Sequence, residues 1–212
     1  MNRYRLLGLA LLLGCSPAPP PPPPEGMVLI PAGKCVLGAD DGQAYFARHV
    51  QELPAFYIDQ NEVTQADYKK FKPDFQIVPG DENKPVTHVT KAEVEAYLKS
   101  VGKRLPTAAE WEKAARGTDG RLYPWGNEWD YRKGNLTARG RSGSFCSTGR
   151  MKPVGSFPQG DSPYGCHDMC GNAYEWVADL KGGRPVIRGG AYGYRERDCR
   201  STAYATEDTG FT

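Results

Sequence analysis

The chain has 212 residues, with 27 Lys and Arg against 25 Asp and Glu, three histidines, six cysteines and 39% hydrophobic residues. That length suits one domain with one core, and the near balance of charge gives no electrostatic case for binding nucleic acid or an anionic surface. The balance becomes complete once the leader is set aside, because 27 less Arg3 and Arg5 leaves 25 basic residues against 25 acidic.

The first 14 residues carry Arg3 and Arg5, then an apolar run from Leu6 to Leu13. The run is shorter than the roughly 20 residues a membrane span requires, so it reads as a processing signal and not a fold element. Leu12-Leu13-Gly14-Cys15 resembles a bacterial lipobox, which makes Cys15 the expected lipidation site; an ordinary secretory peptide with an incidental cysteine is the competing reading. Residues 15–26 then form a lipidated cysteine and a proline-rich tether. Proline lacks the N–H donor that helix and sheet need, and a polyproline strut rising about 3.1 Å per residue would hold the next domain roughly 25 Å from its anchor. The expected location is the bacterial cell envelope, attached to the membrane through the N-terminal lipid and facing the periplasm or the exterior, where disulfides persist.

Residues 27–212 form the folded part. Three helices are announced by a threonine that caps the first turn and an acid three residues on that caps back: Thr64 with Asp67, Thr90 with Glu93, and Thr107 with Glu110. Gly102 and Gly117 are placed to stop the second and third. MVLIPAG, CVLG, AFYID and PVIRGG read as short strands. The expectation is α+β, a single irregular domain low in regular secondary structure.

The succession MVLIPAG, FYIDQNEVTQADYKKF, KPVTHVT, KRLPTAAEWEKAARG, YPWGNEWD, KPVGSFPQGDSPYGCHDMCGNAYEW and RGGAY through GFT resembles the formylglycine-generating enzyme, or sulfatase-modifying factor, family along essentially the whole chain from Met27. The resemblance implies a C-type-lectin-like variant fold, often stabilised by calcium. Enzymes of this family oxidise a sulfatase cysteine to formylglycine with copper and oxygen. Other members carry unrelated activities or none known, so membership by itself transfers no activity.

In the enzymes a serine and a cysteine follow Arg-Gly-Gly, and a second cysteine completes a two-sulfur copper(I) site. On this chain those positions are Ala191, Tyr194 and Cys199. A phenol is a hard, poor ligand for copper(I), so copper is not expected and the three residues read as the remnant of an active site. Asp168, Gly171, Ala173 and Glu175 match the family's second calcium site, whose hard oxygen donors suit that ion. At the first site Asn135 and Leu136 are kept, but the expected aspartate falls near Cys146. The remaining cysteines, Cys35, Cys146, Cys166, Cys170 and Cys199, are candidate disulfide partners with one thiol left over; from the resemblance, Cys146 is expected to join Cys166 or Cys170. Cys166 and Cys170 as a zinc half-site lack a second Cys or His pair. These readings lead to a noncatalytic binding or structural module with a protein or glycan ligand, the alternative being an oxidase of the formylglycine-generating type or one using different residues.

Overall fold

The computed structural model describes residues 21–139, 145–146 and 149–207. The leader, Cys15, the start of the tether and the terminal GFT lie outside the described residues, as does the side chain of Cys146. No helix among the described residues is long and apolar enough to cross a membrane.

Strand β1 (Met27–Ile30) pairs antiparallel with β4 (Phe56–Asp59), and between them β2 (Gly33–Leu37) pairs with β3 (His49–Leu53). Helices α1 (Gln65–Phe71), α2 (Lys91–Ser100) and α3 (Ala108–Arg116) follow. A two-stranded ribbon, β5 (Ala138–Arg139) with β6 (Phe145–Cys146), precedes a three-stranded antiparallel sheet of β7 (Glu175–Lys181), β8 (Arg184–Arg188) and β9 (Ala205–Thr206). This is the irregular α+β domain that the sequence suggests.

All three helices begin where their caps place them. Thr90 and Thr107 make complete capping boxes, each hydroxyl accepting from the N–H of Glu93 or Glu110 while that glutamate accepts from the threonine N–H. Thr64 makes half of one: it accepts from Asp67 N–H, but the Asp67 carboxylate takes the Thr64 hydroxyl instead of its backbone. Aspartate is one methylene shorter than glutamate, which limits its reach back to the cap. Gly117 ends α3 at φ 74°, a left-handed conformation that glycine adopts without a Cβ penalty.

The main core gathers Ile30, Trp111, Ala114, Ala115, Cys166, Met169, Val177 and Val186 between α3 and the three-stranded sheet. Running through it is an ionic network. Glu112 Oε1 accepts from Arg116 Nη1 at 2.8 Å and from Gly38 N–H at 2.6 Å, and Glu112 Oε2 accepts from Arg188 Nη2 at 2.7 Å. Arg188 also donates to Ser201 O, and its guanidinium lies 5.1 Å from the Trp111 ring centroid. A buried charge persists only when paired and hydrogen-bonded, and this network ties α3, the Gly38 turn and the end of β8 into one unit.

Candidate binding groove and cation site

Past Arg188 the chain turns through Gly189 and Gly190, both with positive φ (87° and 74°), and delivers Ala191, Tyr192 and Tyr194 to the rim of a groove of about 1120 Å³. Residue 190 must be glycine for a second reason: a Cβ there would lie 2.6 Å from Cys199 Sγ. Tyr192 N–H donates to Asn172 O and Tyr194 N–H to Ala191 O, which fixes the turn against the loop that precedes β7. From that loop Tyr174 meets Tyr194 edge to face, with ring centroids 5.0 Å apart. Phe56 and Tyr57 of β4, Tyr97 of α2, and Trp176 and Ile187 of the large sheet also line the groove.

The three remnant positions therefore separate. Ala191 and Tyr194 line the groove, the tyrosine 43% exposed, whereas Cys199 is fully buried at the end of a short 3-10 turn, Glu196–Cys199, and does not line it. Sequence reasoning counts one sulfur here, but the fold brings a second. Cys170 Sγ donates to the Cys199 carbonyl at 3.1 Å, and both residues sit in one buried cluster with Tyr123 and Leu136. Burial, and then a hydrogen bond to the Cys199 thiol, push the Cys170 thiol well above the usual range.

Cys35, Cys166, Cys170 and Cys199 are all buried free thiols here. Cys35 packs with Leu37 and Leu53, and Cys166 in the main core, so Cys166 and Cys170, close in sequence, occupy different clusters. Burial raises Cys166 to about 12, the state of an inert packed thiol. The expected bond from Cys146 to Cys166 or Cys170 ends on a side chain outside the described residues.

The loop carrying the expected calcium ligands is strained in a way that suits wrapping: Asp168 has φ 51°, Gly171 95° and Asn172 64°. Asp168 Oδ2 accepts from Gly155 N–H at 2.7 Å, and Glu175 Oε2 accepts from Trp111 Nε1 at 2.8 Å. A third carboxylate, Glu62, accepts from Asn172 Nδ2 and from Ala173 N–H. Burial pushes Glu175 up to about 7 and raises Asp168 as well. Glu62 is raised well above the usual carboxylate range, first by burial and then by the charges of Asp168 and Glu175. None of the three forms a salt bridge with a lysine or arginine among the described residues.

Among the described residues no three Asp, Glu, His or Cys side chains converge as a ready metal cage. The expected set asks for only two carboxylates, with the Gly171 and Ala173 carbonyls as the other donors, and the chemistry fits a hard dication: buried acids raised by burial and mutual repulsion are what such a charge relieves. Sequence reading missed Glu62, because its contact Asn172 is 110 residues away. Asn135, expected at the first calcium site, donates through Nδ2 to Asn172 Oδ1 and Arg150 O.

Comparison with known proteins agrees with this architecture. Residues 15–212 match the family described as sulfatase-modifying factor enzyme 1-like domain. The chain is 31% identical over 234 residues to the formylglycine-generating enzyme of Mus musculus, across 78% of this chain and 61% of that protein. It is 42% identical over 98 residues to the inactive C-alpha-formylglycine-generating enzyme 2 of Bos taurus, covering 44% of this chain and 32% of that one. The chain thus spans less than two thirds of the length of these curated relatives. Among solved structures, PvdO from Pseudomonas aeruginosa superimposes with a TM-score of 0.70 at 24% identity, over 87% of this chain and 88% of that chain. With its motifs in order along the domain and the fold in common, the chain belongs to the sulfatase-modifying factor enzyme 1-like family.

Proposed function

We propose that this protein is an exported, lipid-anchored binding module that has kept the family scaffold without its oxidase chemistry. The observation that carries this reading is the division of the remnant site. At the position of the first copper-ligand cysteine stands Tyr194, a phenol on the groove wall, while Cys199 is sealed beneath. A groove rimmed by Tyr57, Tyr97, Tyr174, Tyr192, Tyr194 and Trp176 is suited to holding a protein segment or a glycan, because each ring offers an apolar face and a polar edge. Calcium at Asp168, Gly171, Ala173 and Glu175 serves as a structural ion under the groove, and the inactive C-alpha-formylglycine-generating enzyme 2 of Bos taurus is a precedent for an inactive relative.

The second reading, an oxidase, is favoured by the contact of Cys170 Sγ with the Cys199 carbonyl, which brings a second cysteine into the buried cluster of Cys199. One experiment separates the two. The purified domain, reconstituted with copper, is incubated with a cysteine peptide derived from a sulfatase, and the peptide mass is followed. The binding-module reading expects unchanged peptide; formylglycine above the level of a no-protein control overturns it. Attachment is checked independently by fractionation, where Cys15→Ser is expected to move the protein from the membrane to the soluble fraction.

A further inference from the structure

We propose that Cys170 and Cys199 are the partners of a disulfide that staples together the two segments carrying Tyr174 and Tyr194. Cys170 Sγ reaches the backbone of Cys199 at 3.1 Å, both residues are at most 2% exposed, and both pack in the same cluster. The other described cysteines are drawn away from this pair, Cys35 into the packing beneath β2 and β3 and Cys166 into the main core. Of all pairings among the described thiols, this one brings two cysteines into a single buried cluster.

The chemistry is an ordinary thiol–disulfide exchange with a disulfide donor, either a protein dithiol oxidant or glutathione disulfide. One chain thiolate attacks the donor, forms a mixed disulfide and releases a donor thiolate. The second chain thiolate then attacks the chain sulfur of that mixed disulfide, forming the internal bond and releasing the second donor sulfur. The chain loses two protons and two electrons, and the donor disulfide is reduced to two thiols. Because both sulfurs are buried in the fold, exchange takes place before the two segments close on each other, and the finished bond is shielded from reductant.

The bond would join the segments that carry the two rings of the groove rim. Tyr174 lies four residues after Cys170, and Tyr194 five before Cys199. Closing the ring between the cysteines holds these rings in their edge-to-face arrangement and limits how far the 191–199 segment can swing. The inference stands whether or not the groove binds a ligand.

The test uses the full exported chain, alkylated in denaturant without reductant and then cleaved with cyanogen bromide at Met169, which separates Cys166 from Cys170, and with trypsin. The expected result is a fragment linking Cys170 to Cys199, with Cys35 and Cys166 alkylated. Cys170→Ala and Cys199→Ala should each free the opposite thiol for alkylation. Reduction in denaturant followed by refolding should lower the melting temperature by about 5 to 15 °C. Alkylation of both cysteines in the wild type, linkage of either to Cys146, or a copper ion held between the two sulfurs in X-ray absorption would overturn the proposal. Failure here is distinct from failure of the binding-module reading: formylglycine formed by a protein with the bond intact sinks that reading alone, and free thiols without peptide oxidation sink only the disulfide.

Discussion

Glu112→Gln is the substitution whose cost follows most directly from the structure. Glu112 and its partners Arg116 and Arg188 have side chains at most 1% exposed, so solvent cannot step in when the charge is removed. Taking one partner from a buried ion pair costs about 3–5 kcal/mol, and here a single carboxylate serves two guanidiniums, which puts the cost near the upper figure. The amide must also turn its NH2 toward an arginine or toward Gly38 N–H, leaving a donor facing a donor. Burial already depresses Arg188, with Glu112 the largest opposing influence. At about 2–4 °C per kcal/mol for a domain of this size, about 5 kcal/mol becomes a fall of about 10–20 °C in melting temperature. Thermal unfolding followed by circular dichroism measures it. Repeating the substitution in an Arg188→Met background, where one buried cation is gone, should cost at least about 1 kcal/mol less. A fall below about 4 °C, or equal costs in the two backgrounds, would refute the charge argument. The groove should register the change too, because Arg188 is the last residue before the Gly189-Gly190 turn.

Other outcomes follow from the same contacts. In metal-stripped protein the folded state keeps a proton on Glu175 up to about pH 7, which the unfolded chain releases near 4.5. Stability should therefore fall as pH rises between those values, by about 3 kcal/mol in all, with Glu62 and Asp168 adding in the same direction. Calcium should flatten this slope and raise the melting temperature at pH 8; a chelated sample that is equally stable at pH 5 and pH 8 contradicts the burial assigned to these acids. Gly190→Ala should cost about 2–4 kcal/mol in urea unfolding of the reduced protein, from its left-handed backbone and the contact with Cys199 Sγ, and the same substitution made in a Cys199→Ala background should cost less by the contact part alone. Thr107→Ala removes a cap and should cost about 1 kcal/mol, whereas Thr107→Ser should be close to neutral.

The parts that could be read from sequence are those whose causes are local. Thr64, Thr90 and Thr107 cap their helices through residues three positions away, so the helix starts are visible in a window of four residues. β1, β2, β4 and β8 are short apolar runs and could be read the same way. β3 and β7 could not. His49–Leu53 is largely exposed and owes its strand to pairing with β2, and Glu175–Lys181 carries a bulge between Trp176 and Leu180 that breaks its alternation. The site divides on the same line. Asp168 and Glu175 stand in one contiguous motif, while Glu62 joins them across 110 residues and Cys170 meets Cys199 across 29, contacts that no local pattern encodes.

The loop from Asp168 to Glu175 points its side chains in different directions: Asp168 and Glu175 among the acids, Cys170 against Cys199, Asn172 to Glu62 and Asn135, Tyr174 into the groove. Eight consecutive residues thus act as a mechanical junction where ion content, thiol state and ring position share one stretch of backbone. Substitutions within it should combine non-additively. A binder selected against the rim would then report on conditions in the interior, by way of a segment too short to move piecemeal.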